Sequence, residues 1–317
     1  MPHLLIAGKL HPAGLELLQG RDGFSYDLVE EVSEESYASL VGKADAMVIR
    51  TQPLSAATIA RASRLKLVSR HGVGYDAVDV AALNKRRIPL CVTGDVNSQS
   101  VAEHAILLIL ASARRLVRAD RSVREGRWGW RNALEAEEIS HKNLLIIGYG
   151  RSGRHLARMA QGFGMPTRAH DPFLVKQGWP DGPIAPVLSL ADGLAWADLI
   201  SLHVPKSGRP ILGAEEFAQM KPGVIIVNTA RGGIVDETAL AAALAAGQVG
   251  AAGLDVFADE PPPKNHPLLA FDQVVLTPHI AGLTQPAAER MAISAVQNVL
   301  DFFAGRLDSG LIVNRDF

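Results

Sequence analysis

Short apolar runs of strand length alternate with amphipathic stretches along nearly the whole chain. That is the pattern of parallel α/β sheets, whose strands are buried on both faces. In the first third the runs are His3–Ala7, Tyr26–Val29, Ala46–Ile49, Leu67–Ser69 and Pro89–Val92. Helical patterns separate them at Ala13–Leu18, Glu34–Val41, Ala56–Ala62 and Val78–Asn84. These predict a five-strand unit able to stand as its own domain. Asn97–Leu116 then reads as one long helix with Asn97 or Ser98 as its cap. It is apolar around its circumference from Ala105 to Ala113, so it is expected to be buried between layers or subunits. Arg118–Lys142 is charged and is expected to be an irregular excursion at an oligomer contact. A second alternation begins at Asn143. Its strands are Leu144–Ile147, Thr167–His170, Leu199–Leu202, Val224–Asn228, Ala251–Leu254 and Val274–Thr277. Its helices are Arg154–Phe163, Leu190–Ala195, Ala214–Met220, Glu237–Ala246 and Pro286–Phe303, the last expected to return to the first domain. The expected architecture is α/β: two doubly wound parallel-sheet domains, 1–97 with 285–317 and 98–284, and a cleft between them.

Composition narrows the classes. A chain of 317 residues with 48% apolar positions is long enough for two cores. Its 32 Lys+Arg balance 33 Asp+Glu, so no global basic field exists to hold a phosphate backbone, and no nucleic-acid partner is expected. Cys91 is the single cysteine, too few for an internal disulfide or a multi-cysteine zinc site, and it fits a reducing compartment. No metal is expected. The apolar run at the N-terminus is too short for a signal peptide, and Ala105–Ala113 falls far short of the roughly 20 residues of a membrane helix. The expectation is a cytoplasmic globular protein with no membrane partner.

The sharpest local signal is IIGYGRSGRHLA. Gly148, Gly150 and Gly153 form G-x-G-x-x-G after a buried strand and at a helix start. The first glycine permits the tight turn, the second lets backbone approach a pyrophosphate, and the third seats the helix near the strand. Helix amides then face the phosphates. The next strand ends at Asp171, 18 residues after Gly153 and near the spacing of roughly 20 for a ribose-binding carboxylate. Such a carboxylate accepts from the ribose hydroxyls and repels a 2′-phosphate, which points to NAD rather than NADP. Arg168, three residues upstream, is the nearby cation that speaks the other way.

Arg231, Glu260 and His279 each follow a predicted strand, and ligands of open α/β sheets sit outside the carboxyl ends of strands. Taken singly, each has an ordinary structural explanation. Together, beside a dinucleotide loop, they match the needs of 2-keto acid reduction. An imidazole can give the carbonyl oxygen its proton, a carboxylate can fix the imidazole tautomer, and a guanidinium can grip the substrate carboxylate through a planar fork. Gly232 and Gly233 after Arg231 allow close backbone approach.

At these residues the chain resembles the D-isomer-specific 2-hydroxyacid dehydrogenases, including the phosphoglycerate and glyoxylate/hydroxypyruvate reductase branches. The likeness runs through RHGVGYDAVD (Arg70–Asp79), NSQSVAEH (Asn97–His104), IGYGRSG (Ile147–Gly153), HDP (His170–Pro172), HVP (His203–Pro205), NTARGGIVDE (Asn228–Glu237), GLDVFADEPP (Gly253–Pro262) and TPHIAGLT (Thr277–Thr284). It implies a flavodoxin-like substrate domain beside a Rossmann NAD-binding domain. It implies Arg231 as substrate binder, Glu260 as assistant and His279 as acid/base. It also implies cofactor contacts at Arg151, Ser152, Asp171, His203, Val204, Pro205, Thr229, Ala230, Arg231, Asp255, His279, Ala281 and Gly282, with Asp255 taking the nicotinamide carboxamide. Backbone amides at Val73 and Gly74 are implied for the substrate carboxylate. Arg50 and His71 are candidates for a second anionic group on the substrate, with surface or structural roles as the alternative. The expected partners are a small 2-hydroxy or 2-keto acid and a second copy of the chain in a homodimer. Trp128 and Trp130 are expected to pack in a core or interface, a reach into a neighbouring subunit's cleft being the alternative. Two rivals stay open on the same scaffold: an NAD(H)-sensing binding protein like the co-repressors, and a phosphite-type dehydrogenase. Formate-type relatives carry Gln where Glu260 stands, which disfavours them. The resemblance includes no regulatory C-terminal domain, and feedback control of that kind is not expected.

Overall fold

Parallel neighbours in a sheet need crossover connections, and the helices that make them cover both sheet faces. The computed structural model describes residues 1–19, 23–206 and 208–314. The chain divides into two compact units, Met1–Asn97 with Leu283–Phe317, and Ser98–Gly282. The expected extension of the first domain over 315–317 lies outside the described residues.

The first unit holds β1 (His3–Ala7), β2 (Ser25–Val29), β3 (Ala46–Ile49), β4 (Leu67–Arg70) and β5 (Leu90–Cys91). All pair in parallel, in the order β2-β1-β3-β4-β5, the flavodoxin-like order. Because side chains alternate across a strand, β1, β3, β4 and β5 each feed two cores, whereas the edge strand β2 exposes Tyr26 and Leu28. Leu5, Ala7, Met47, Ile49 and Val68 pack with Tyr37, Val41, Ile59 and Leu83. Leu4, Ile6, Ala46, Val48 and Leu67 pack against Ala292, Ala295, Val296 and Val299 of the helix Gln285–Phe303. That helix is capped by the Thr284 hydroxyl, which accepts from the Ala287 amide at 3.3 Å. Two buried polar side chains tie it down: Ser69 donates to the Ala295 carbonyl at 2.8 Å and Asn298 to that of Val92 at 3.1 Å.

The second unit holds β6 (Leu144–Ile147), β7 (Thr167–His170), β8 (Ala185–Pro186), β9 (Leu199–Leu202), β10 (Val224–Asn228), β11 (Val249–Leu254) and β12 (Val274–Leu276). They are parallel in the order β12-β11-β10-β9-β6-β7-β8. The chain reverses its direction of growth between β6 and β9, the switch point at which Rossmann sheets bind ligands. Leu145, Ile147, Ile200, Leu202 and Ile226 face one core with Leu194, Phe217 and Leu240. Leu144, Ile146, Leu199 and Val227 face the other, covered by Ala105, Leu108 and Ile109 and by Leu156, Ala157 and Ala160.

The predicted helix to Leu116 and the irregular stretch after it are corrected here. The helix is Ser98–Ala113, and it ends because Arg115 turns left-handed at φ +52°. The Arg115 guanidinium donates to the Gly250 carbonyl at 3.0 Å, which turns the chain. A second helix, Leu116–Arg124, and a 3-10 turn, Trp128–Ala133, follow. Within the single chain the first helix leaves Leu107 half exposed, while Ala105, Leu108 and Ile109 are buried. The short strand β8 and the helix Pro172–Gln177 were not predicted.

Candidate active site

After β6, Gly148 takes φ +94°, and a Cβ there would lie 2.5 Å from the His203 carbonyl oxygen. A Cβ on Gly153 would lie 2.2 Å from the Gly148 carbonyl, so the helix Arg151–Gly162 rests directly on the turn. At Gly150 the reverse holds, for nothing stands within 4 Å of an added Cβ. The first turn of the helix therefore opens onto free space, with exposed Arg151 and half-buried Ser152 at its rim. Asp171 joins the turn from the end of β7. Its Oδ2 accepts from the Tyr149 amide at 2.9 Å and its Oδ1 caps the helix Pro172–Gln177 through Leu174 at 3.1 Å. Arg168 lies over Trp196, its guanidinium carbon 4.4 Å from the ring centroid. The cation that the sequence offered to a 2′-phosphate is thus engaged in a cation–π contact.

His203, Val204 and Pro205 follow β9 on the other side of the turn. Burial pushes His203 down to about 4, so the ring is neutral, and its Nε2 meets Ser201 Oγ at 2.9 Å. The Thr229 hydroxyl, after β10, is buried with no hydrogen-bond partner. An open helix N-terminus, a strand-end carboxylate and a spare buried hydroxyl fit a dinucleotide.

Three adjacent strands, β10, β11 and β12, carry the three residues the sequence singled out. After β10, Asn228 folds the loop by donating to the Arg231 carbonyl at 2.8 Å and accepting from the Ala230 amide at 3.0 Å. Arg231 is half-buried there and donates to the Ala230 carbonyl at 2.6 Å. After β11, Glu260 accepts from the Phe257 amide through Oε1 at 3.0 Å. Its Oε2 lies 2.7 Å from Nδ1 of His279, which follows β12. A carboxylate only accepts, so Nδ1 carries the proton and Nε2 is the ring atom left for other chemistry. The His279 side chain is 51% exposed.

Asp255 holds this arrangement from below. Its carboxylate is wholly buried and accepts from Thr277 Oγ1 at 2.6 Å, the Ile280 amide at 2.9 Å and the Ala281 amide at 2.8 Å. Burial opposes its charge, yet hydrogen bonds from His104, Thr277, Ile280 and Ala281 outweigh that and hold the carboxyl below its usual range. His279, in the left-handed region at φ +53°, is pinned by its amide to the Asp255 carbonyl at 2.8 Å. Since Thr277 donates to Asp255, it accepts from His104 Nε2 at 2.9 Å. Sequence reasoning assigned neither His104 nor Thr277, although both lie inside the matching segments. Ala281 is locked further by the Ser100 hydroxyl on its carbonyl at 2.8 Å, and Gly282 follows it half-buried.

In the first unit Arg50 follows β3 and donates to the Lys9 carbonyl at 3.3 Å. His71 follows β4, 5% exposed, with Nε2 buried and unpartnered. Burial, with the charges of Arg50 and Arg70 beside it, drops His71 to about 3, so it offers a neutral ring rather than a cation. Arg70, which the sequence reading left unassigned, donates to the Ile49 and His71 carbonyls at 3.3 and 2.7 Å. Val73 is exposed and Gly74 half-buried in the turn that follows. Among the described residues no three or more His, Cys, Asp or Glu side chains gather where a metal could sit, and no helix is long and apolar enough to cross a membrane.

Comparison with known proteins puts these features in a family. Residues 106–281 match the NAD binding domain of the D-isomer specific 2-hydroxyacid dehydrogenases. The chain is 37% identical over 305 residues to the D-3-phosphoglycerate dehydrogenase of Archaeoglobus fulgidus, covering 95% of this chain and 57% of that protein. It thus spans little more than half the length of such relatives. It is 39% identical over 275 residues to the hydroxypyruvate reductase of Thermotoga maritima, covering 85% of this chain and 88% of that one. A solved structure from Thermus thermophilus superposes with a TM-score of 0.88 at 33% identity, covering 96% and 97% of the two chains.

The burial of His71 has a measurable consequence. Its ordinary value of 6.5 falls to about 3 on folding, so the folded state refuses a proton that the unfolded chain accepts. Its contribution to stability is complete above 6.5 and is lost as pH falls toward 3. The expected cost is up to about 1.4 kcal/mol per pH unit within that window. Urea unfolding at about pH 7 and about pH 5 should show the loss, and His71→Gln should flatten it. Equal slopes in the two proteins would refute the assignment.

Proposed function

The chain belongs to the D-isomer specific 2-hydroxyacid dehydrogenase family, and from that premise we propose that it interconverts a small D-2-hydroxy acid and its 2-keto acid with NAD(H). The observation that carries this reading is the Glu260–His279 pair, 2.7 Å apart at the strand-end edge that also bears Arg231. NAD, when bound, accepts or supplies the hydride. The rest falls to the protein. Arg231 grips the substrate carboxylate and polarises the neighbouring carbonyl. His279 gives the carbonyl oxygen its proton from Nε2 in reduction and recovers it there in oxidation. Glu260 holds the Nδ1 proton, which fixes the ring's orientation and steadies the positive charge on the imidazolium.

The cofactor's diphosphate belongs at Gly148, Gly150 and Gly153 with Arg151 and Ser152, and its adenosine ribose at Asp171. Val204, Pro205, Thr229, Ala230, Ala281 and Gly282 line the remaining length. Both Asp255 oxygens already serve the chain, so any contact with the carboxamide adds to a structural duty. In the first unit, taken by itself, the amides of Val73 and Gly74 suit a carboxylate. Arg50 and His71 suit an anionic group, the histidine as a neutral hydrogen-bonding partner. Cys91 is buried and outside any disulfide, and burial pushes its thiol up to about 11; a lone cysteine of this kind fits a reducing cytoplasm.

We also assign the chain to a homodimer. Leu107, Leu116, Val117, Val123, Trp128 and Leu134 lie close together in sequence and are 44–88% exposed. Apolar side chains gathered this way mark an interface, and two-fold closure covers them with their own copy. Trp128, at 67% exposed, therefore belongs to that interface rather than to the core, whereas Trp130 lies under the Arg118 guanidinium.

Steady-state oxidation of NADH by glyoxylate, hydroxypyruvate and phosphohydroxypyruvate tests the class directly. His279→Ala should lower kcat by about 100-fold or more while NADH affinity stays within about threefold. Undiminished turnover would remove His279 from the acid/base role. Asp171→Ala should cut the NAD/NADP ratio of kcat/KM by about tenfold, the worth of one hydrogen bond to a charged group; an unchanged ratio would contradict the ribose contact. Light scattering should give a mass about twice 33.8 kDa, and Trp128→Asp with Leu134→Asp should give the monomer.

A further inference from the structure

Glu237 is the first residue of the helix Glu237–Ala245, yet it does not serve the helix end. Asp236 does that, accepting from the amides of Thr238 and Ala239 at 3.0 and 2.9 Å. Both Glu237 oxygens point elsewhere. Oε1 accepts from the Ala258 amide at 2.7 Å, and Oε2 lies 2.9 Å from His266 Nε2. The two side chains are only 15% and 12% exposed. His266 Nδ1 accepts from the Leu268 amide at 3.3 Å, so the ring proton sits on Nε2 and is given to Glu237. The same ring stands edge-on to Phe257 at 6.0 Å.

These contacts converge on one short stretch of backbone. Phe257 and Ala258 begin the loop that carries Glu260, and the Phe257 amide bonds to Glu260 itself at 3.0 Å. From another direction Gly232 presses on the same peptide: a Cβ there would lie 1.6 Å from the Phe257 carbonyl oxygen and 2.6 Å from the Ala258 nitrogen. The residue after Arg231 and the loop before Glu260 thus share one contact. Two N–H donors, an amide and an imidazole, meet two oxygens, and a carboxylate is the side chain that accepts from both.

We propose that Glu237 and His266 are positioning residues: they clamp the Phe257–Ala258 peptide so that Glu260 is held against His279 and in register with Arg231. The proposal rests on the dehydrogenase reading given above. Neither residue touches the reacting atoms. They act through Glu260, whose side chain is itself 36% exposed and hangs from a loop with an exposed Ala258. A cavity of about 300 Å³ lies at the pair, lined by Pro210, Val235, Asp236, Thr238 and Pro267. Water can therefore replace a truncated Glu237 side chain, and the fold should survive while the loop loosens.

The test compares Glu237→Ala, Glu237→Gln and Glu260→Gln with the unaltered protein. In Glu237→Ala, kcat should fall about 10- to 100-fold, the scale of a misaimed catalytic group, with KM and NADH affinity held within about threefold. Its pH profile of kcat should move toward that of Glu260→Gln. Amide exchange across the peptide containing Ala258 should speed up. Glu237→Gln keeps one acceptor for that amide and should recover at least about a third of the original kcat. A Glu237→Ala protein with kcat within about twofold and an unmoved pH profile overturns the clamp. So does a loss of activity that only follows a loss of folded protein, with the profile unmoved. If the unaltered protein turns over no 2-keto acid, the dehydrogenase reading fails. The clamp is then judged by exchange alone, and unchanged exchange at Ala258 overturns it.

Discussion

The geometry of the site depends on a carboxylate that never meets solvent. Asp255 sits at the end of β11 with no exposed surface. A buried charge costs several kcal/mol unless it is fully hydrogen-bonded. Here the compensation comes from Thr277, Ile280 and Ala281, the turn that bears His279. The arrangement cannot relax without exposing the charge or stranding the donors. It also explains why His279 tolerates a left-handed backbone, a conformation that non-glycine residues adopt only when the surroundings impose it.

Around this anchor the residues of the candidate site are placed by backbone first and side chain second. Asn228 sets the loop of Arg231 through two hydrogen bonds to main chain, and the Phe257 amide sets Glu260. The exposed reach of His279 and Glu260 is therefore mounted on segments held by main-chain hydrogen bonds. A catalytic arrangement gains most from such support, because errors of about 1 Å are costly.

Much of this was legible in the chain, for physical reasons that differ from place to place. Leu144–Ile147, Leu199–Leu202 and Val224–Asn228 stand out because a parallel strand covered on both faces needs an unbroken apolar run. The glycine turn stands out because side chains do not fit there. The break at Arg115 does not, since a long apolar stripe looks the same whether the helix stops or continues, and the stop depends on a carbonyl 135 residues away. Glu260 and His279 were recognisable as candidates through their strand ends and neighbours. Glu237 and His266 were not. An acidic residue at a helix start is the commonest sight in such a position, and only the folded chain reveals that its oxygens face another loop.

The return of Gln285–Phe303 to the first unit also orders events during synthesis. One face of β1, β3 and β4 has its cover in that helix, and the bond from Ser69 to Ala295 spans 226 residues. A nascent chain that has reached only the first sheet still presents an apolar face covered only in part, by Leu10, Leu18 and their neighbours. Residues 98–282, being contiguous, can close their own cores as they emerge from the ribosome. The portion made first is thus the portion finished last, and its unfinished sheet is the stage at which a growing polypeptide most needs a chaperone.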